Sequence, residues 1–267
     1  MQNATYILGG YQTDFARAWS REGLDISDMV REATLGALEN CGLDAGEVRS
    51  IHVGNAFGEA QRRQGHLGAM VSQVVPQLWG VPAMRHEGAC ASSSLAVLAA
   101  MAEIEAGRYD CVLVLGVEEF RNLPGDIASQ NQNSAAWAGH EDIACTFMWP
   151  AVFGLLAAEY ERRYGLDRRY LNRIAEINYA NARRNPLAQT RAWQFKANSF
   201  TDDDAANRVA NSPEASTSAQ APSVIWPQSW RRTPGSISGF AASSSVKLFA
   251  LNCQARVCAS GLRLALA

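Results

Sequence analysis

One cysteine, Cys90, stands in the run His86-Glu87-Gly88-Ala89-Cys90-Ala91-Ser92-Ser93-Ser94, immediately ahead of the apolar stretch Leu95-Ala96-Val97-Leu98-Ala99-Ala100-Met101. The pattern puts a thiol at the first turn of a buried helix. There, unpaired backbone N–H groups and the positive end of the helix dipole both favour the thiolate, which is the nucleophilic form of cysteine. The competing account is a small, inert core residue, the ordinary fate of a free cysteine. Four consecutive small residues at the mouth of the helix favour the nucleophile, because a plain core helix does not need them.

A nucleophile of this kind needs a base, and the chain offers four histidines, His52, His66, His86 and His140. His52 falls in a strand pattern and His66 in a loop. His86 precedes the cysteine by four residues, about 13 Å if extended, so it serves as a base only through a sharp turn. His140-Glu141 reads as a surface pair.

The elements that must position Cys90 follow from periodicity. Tyr6-Ile7-Leu8-Gly9-Gly10 reads as a short buried strand. Asp25 or Ser27 caps a helix from about residue 28 to Asn40, with Met29, Val30, Ala33, Ala37 and Leu38 on one face and Gly42 closing it. Ser50–Gly54 is a second strand, followed by a Gly- and Gln-rich loop from Gly58 to Gly68 and a helix near Leu67–Val75. Pro76 and Gly80-Val81-Pro82 break the chain before a short strand that delivers Cys90. Residues 92–106 are apolar nearly all round, which predicts a helix covered on every side. Cys111–Val117 is apolar without alternation, as in a sheet covered on both faces. Strands alternating with helices predict a layered α/β fold. From Asn122 to about Asn211 the alternation lapses into an aromatic-rich segment holding Trp137, Phe147, Trp149, Phe153 and Tyr160, with helices around 152–164 and 168–184.

Glu87-Gly88-Ala89-Cys90-Ala91-Ser92, with Gly107-Arg108-Tyr109-Asp110 and Val112-Leu113-Val114-Leu115-Gly116-Val117-Glu118, resembles the nucleophile segment of the thiolases, in the branch of the acetyl-CoA acetyltransferases and sterol-carrier-type thiolases. The resemblance begins at Gly10-Tyr11-Gln12-Thr13-Asp14-Phe15 and passes through Val53-Gly54-Asn55. It continues through Tyr160-Glu161-Arg162-Arg163-Tyr164-Gly165 and Asn178-Tyr179-Ala180-Asn181-Ala182-Arg183-Arg184-Asn185-Pro186, covering roughly residues 1–211. It implies one βαβαβαββ half of a five-layer thiolase-like sandwich over 1–121, with a helical loop-domain insertion over 122–211. It also implies acyl transfer through a Cys90 acyl-enzyme, by Claisen condensation or thiolysis, with coenzyme A or acyl-CoA as substrate and no permanently bound cofactor or metal. Arg183, Arg184, Arg191 and Lys196 become candidates for the CoA phosphates, since cations suit phosphate; a solvated helix face and loop is the alternative for each. Homo-oligomers are implied for intact relatives.

The family's general bases and part of its oxyanion hole come from Asn-Glu-Ala-Phe, Gly-His-Pro and Cys-x-Gly segments of the C-terminal half, and none of these is in the chain. Cys258-Ala259-Ser260-Gly261 echoes the last only by chance. The expectation is therefore a truncated thiolase chain with little activity of its own. Two alternatives remain: a non-catalytic subunit of a complex, with an OB-fold zinc-ribbon accessory protein as possible company, or a β-ketoacyl synthase or aldolase on the same scaffold. The small-residue context fits thiolases better than synthases, and a related aldolase branch does not rely on this cysteine.

Composition sets the outer bounds. A formal net charge of −2 over 267 residues excludes a dedicated nucleic-acid surface. No run of about 18 apolar residues is present to span a membrane, and Met1-Gln2-Asn3-Ala4-Thr5 lacks the basic start of a signal peptide. Six cysteines without a Cys-x-x-Cys pair fit reduced thiols in the cytoplasm. The charge is unevenly placed: all 26 acidic and nineteen of the 24 basic side chains lie in residues 1–214, and the last 53 residues hold the other five basic ones. That segment also contains Trp226-Pro227-Gln228-Ser229-Trp230-Arg231-Arg232. With 22 Arg against 2 Lys in the chain, as in GC-rich coding sequence, the expectation is that residues from about 212–215 to 267 are out of frame and loosely ordered.

Overall fold

The computed structural model describes residues 4–120, 123–141, 145–193 and 248–252. Its centre is one five-stranded sheet of β1 (Tyr6–Gly9), β2 (Ser50–Gly54), β3 (Ala83–His86), β4 (Cys111–Gly116) and β5 (Leu248–Asn252), in the order β1-β5-β4-β2-β3. β2 pairs in parallel with both β3 and β4, while β5 runs antiparallel to β1 and β4. The parallel strands require helical crossovers, which are α1 (Ile26–Cys41), α2 (Gly58–Arg62), α3 (Leu67–Val74) and α4 (Ser92–Glu105). α5 (Gly125–Gln132), α6 (Met148–Tyr164) and α7 (Arg168–Arg184) belong to the segment between β4 and β5.

Alternate strand residues face opposite layers. Ile51, Val53, Leu113, Leu115 and Val117 pack with Met29, Val30, Ala33, Ala37 and Leu38 of α1 and Leu67 and Val71 of α3. On the other face, Val112 and Val114 meet Ala96, Ala100 and Ile104 of α4. α1 begins with Asp25, whose side chain accepts from Ser27 N while Asp28 reaches back to the Asp25 N–H, and ends at Gly42, whose φ of +64° is the left-handed cap glycine accepts at no cost.

Two expectations need correction. α4 is not covered all round: Ala96, Ala100 and Ile104 form one buried stripe, while Leu95 is 40% and Leu98 60% exposed. Its apolar content exceeds what this sheet can cover. Residues 58–62 form a short helix rather than a loop, because Asn55 Oδ1 accepts from Gly58 N at 3.0 Å and starts the turn. The expected loosely ordered tail over 212–267 lies outside the described residues except for Leu248–Asn252, which forms β5 between β1 and β4. The run Leu248-Phe249-Ala250-Leu251 is apolar enough for a central strand, and it completes the βαβαβαββ succession. Lack of acidic residues in its surroundings hid that element.

Candidate active site

Cys90 sits on a tight turn, residues 89–91, between β3 and α4, with its side chain exposed. Ala89 carries φ +47°, the left-handed region, which costs a residue with a Cβ on the order of 1–2 kcal/mol. Four hydrogen bonds hold that conformation. Ala91 N donates to Gly88 O at 2.9 Å and Ala89 N to Glu87 Oε1 at 2.6 Å. Ser92 Oγ accepts from Gly88 N at 3.1 Å and donates to Ala89 O at 2.7 Å.

The small residues now have reasons. A Cβ on Gly54 would lie 2.6 Å from Ser93 Cα and 2.7 Å from Ser93 N, so the first turn of α4 rests directly on the end of β2. A Cβ on Gly88 would lie 2.5 Å from Leu95 Cδ1. Both glycines let the turn seat against the sheet edge from which the parallel strands emerge, the edge where open α/β sheets place their ligands.

Two further constellations stand at the same strands. Asn55 and Glu118 follow β2 and β4. The half-buried Glu118 carboxylate accepts from Ala56 N at 2.8 Å, Phe57 N at 3.1 Å and Asn55 Nδ2 at 3.1 Å, and Asn55 Nδ2 also donates to Val117 O at 2.8 Å. Burial pushes the Glu118 carboxyl above its ordinary range, against those donors. Next to it, the buried Glu119 has Arg62 Nε 2.9 Å from Oε2. The Arg62 guanidinium opposes the rise in the Glu119 carboxyl pKa that burial produces.

The second constellation is a row of titratable side chains between the sheet and α4. His52, wholly buried, places Nδ1 2.8 Å from His86 Nε2 and Nε2 2.8 Å from Glu103 Oε2. The two rings stack with centroids 5.0 Å apart. Burial lowers the His86 pKa, and the neighbouring His52 lowers it further while Glu103 opposes. In the sequence His52 falls in a strand pattern with no partner in view. The available signal was alternation: Ser50 and His52 share the face opposite Ile51 and Val53, an unusual polar pair inside a buried strand. Its partners came only with the β2–β3 register, which sets His52 beside Met84 and Gly54 beside His86.

Two of the candidate phosphate-binding cations, Arg191 and Arg184, hydrogen-bond within the chain. Arg191 forks onto Asp14, Nη1 to Oδ1 at 2.7 Å and Nη2 to Oδ2 at 3.0 Å, and donates to Ala188 O at 3.1 Å. Its guanidinium pins the chain after α7 to the N-terminal segment, and holds Asp14 below the usual carboxylate range. Arg183 and Arg184 close the last turn of α7, where Arg184 donates to the Asn181 side chain. Lys196 lies outside the described residues. The His140 ring lies tilted against Trp137, with centroids 4.0 Å apart, and Glu141 accepts from Trp137 N at 2.9 Å, a local turn. A depression of about 460 Å³ lined by His66, Ser72, Trp79 and Val81 lies by α3, on the face of the sheet opposite α4. Among the described residues no group of three or more His, Cys, Asp or Glu side chains is placed to hold a metal ion. Nor is any helix long and apolar enough to cross a membrane.

Comparison with known proteins places this geometry. The family described as "Thiolase, N-terminal domain" matches residues 5–210. The acetyl-CoA acetyltransferase of Methanothermobacter thermautotrophicus is 28% identical over 184 residues, covering 68% of this chain and 46% of that protein. The acetyl-CoA acetyltransferase of Methanocaldococcus jannaschii is 30% identical over 183 residues, covering 68% and 45%. The chain thus spans about half the length of these curated relatives. A solved structure described as "Ltp2-ChsH2(DUF35) aldolase" superposes with a TM-score of 0.52 at 16% identity, covering 93% of this chain and 55% of that one. The last likeness is one of fold.

Proposed function

This chain belongs to the thiolase family, and from that premise we propose that it carries the nucleophile of an acyl-CoA C-acyltransferase, with Cys90 as the acyl-accepting thiol. The observation that supports the reading most is the Cys90 turn: an exposed thiol on a strained turn, held by four hydrogen bonds, at the start of α4. Strain of this kind persists where surrounding structure over-determines it, and it collects at active sites.

The chemistry divides into two halves. In the first, the Cys90 thiolate attacks the carbonyl carbon of an acyl-CoA, a new S–C bond forms, and coenzyme A leaves as its thiolate and takes up the proton. In the second, a base removes an α-proton from another acyl-CoA. The resulting carbanion attacks the acyl carbon, so that a C–C bond forms and the Cys90 thiolate is released. Thiolysis is the same sequence reversed. The first half needs the thiolate and hydrogen-bond donors for the carbonyl oxygen. The second needs general bases that the thiolase C-terminal motifs supply and these 267 residues do not contain. Positioned acids, bases and oxyanion donors contribute roughly 10²–10⁴-fold each, so the chain alone is a poor condensing enzyme. The groups for the second half come from outside these residues.

Isotope exchange tests this. With acetyl-CoA and labelled coenzyme A, the chain should move label into the thioester, and Cys90→Ala should abolish the exchange. Condensation by the chain alone should stay far below the 1–10³ per second typical of enzymes. Exchange that survives Cys90→Ala would refute the assignment.

A further inference from the structure

Glu103, His52 and His86 form a row that no step of the chemistry above uses. We propose that they are a positioning relay for the Cys90 turn: Glu103 and His52 act through His86, clamping the strand before the nucleophile to the helix after it. The proposal rests on Cys90 as the reactive thiol, and extends to groups on the far side of the sheet edge.

Hydrogen-bond inventory fixes the proton arrangement. An ionised carboxylate only accepts, so Glu103 requires a proton on His52 Nε2. A neutral His52 then has Nδ1 as an acceptor, which requires a proton on His86 Nε2. Ser50 Oγ, 3.3 Å from His52 Nε2, is a second neighbour of that N–H. His86 is left with its proton on Nε2, and with Nδ1 unprotonated, on the last residue of β3. One carboxylate therefore sets the tautomer of two imidazoles.

The connectivity gives the row its purpose. His86 ends β3, four residues before Cys90, and Glu103 lies on the last turn of α4. Both ends of the segment that carries Cys90 are tied to the single buried residue His52 on β2. Ser93 packs so closely on Gly54 that a Cβ there would lie 2.6 Å from Ser93 Cα, which holds the same segment a third time, at its middle. The turn at residues 89–91 holds a strained backbone, and the relay fixes the frame in which it sits.

Among the described residues the charged and titratable surroundings are few, with Tyr109 packed at the margin of the α4 cluster. β2 contributes His52, β3 His86 and α4 Glu103. The β4 residues on this face are Val112 and Val114, and Arg108 beyond α4 is the cation that Glu103 influences. Protonation of His86 keeps the Nε2–H that His52 accepts but sets a cation against a stacked imidazole at a half-buried position, so acid costs the folded chain stability there.

Two measurements on the full chain test the relay without needing turnover. Long-range ¹H–¹⁵N spectra should show the Nε2–H tautomer at both His52 and His86 at neutral pH; an Nδ1–H tautomer at His52 would overturn the proposal, with no variant required. The second measurement is alkylation of Cys90 by iodoacetamide at fixed pH. Glu103→Ala should change its rate on the order of tenfold, inside the 10²-fold a misplacement of about 1 Å can cost, and should mix the His86 tautomers. Glu103→Gln keeps an acceptor oxygen facing His52 and should restore both. Unchanged alkylation and tautomers in a folded Glu103→Ala variant would overturn the relay. Loss of acyl exchange with the relay signals intact would count against the nucleophile reading alone.

Discussion

At the residue scale, the chain invests most in Gly54, His86 and Cys90. Replacing Gly54 with Ala drives a methyl into the Ser93 backbone at 2.6 Å, and backbone cannot rotate away as a side-chain tip can. Overpacking of this kind costs roughly 1–3 kcal/mol, so urea denaturation of Gly54→Ala should show that loss together with altered Cys90 alkylation. Wild-type stability with normal Cys90 reactivity would mean that α4 does not rest on β2 as described. His86 gives a pH signature. Its pKa is lowered in the folded protein, so between that value and the unfolded value near 6.5 the unfolded chain binds more protons. Stability therefore rises with pH through that window and falls as acid is added below about 6.5. His86→Gln should flatten that limb of the stability profile; an unchanged limb would place the titration elsewhere. Asp14, held low by Arg191, acts in a separate window: its contribution is present above the unfolded carboxylate value near 3.9 and is lost as pH falls further.

At the scale of elements, much of the architecture was legible because it is local. The capping pattern at Asp25, the left-handed stop at Gly42 and the unalternating strand Cys111–Gly116 are written in a few adjacent residues. The position of Cys90 at the mouth of α4 is equally local. What could not be read depends on residues brought together from afar: the His52–His86 contact needs the β2–β3 register, and the Arg191–Asp14 fork joins positions 177 residues apart. β5 is the plainest case. Its five residues lie in a segment whose composition argues against order, yet they pair on both sides with β1 and β4. A proline has no N–H for a ladder and is excluded from central strands. Ala250→Pro, opposite Leu113, should therefore destabilise the sheet by about 3 kcal/mol, near the cost of a proline inside a helix. It should also speed amide exchange at Val112–Leu115. Unaltered exchange there would show that β5 contributes nothing to the core.

At the scale of the whole molecule, the two faces of the sheet are unequally covered. α1 and α3 bury a broad core on one side, whereas α4 leaves Leu95 and Leu98 at the surface and α6 and α7 expose Phe153, Tyr160, Leu171 and Ile174. Apolar surface on this scale drives association. The isolated chain should sediment as assemblies that weaken in Leu98→Lys, and a compact monomer at high concentration would contradict this. The same incompleteness bears on catalysis: a chain with the nucleophile and without the condensation bases should stop after its first half-reaction. The decisive measurement is the mass of the Cys90 peptide after incubation with acetyl-CoA and acid quenching. The account predicts one acetyl group on Cys90, reversed by added coenzyme A and absent in Cys90→Ala. An unmodified Cys90, or acetylation that persists elsewhere in Cys90→Ala at the same level, would contradict it.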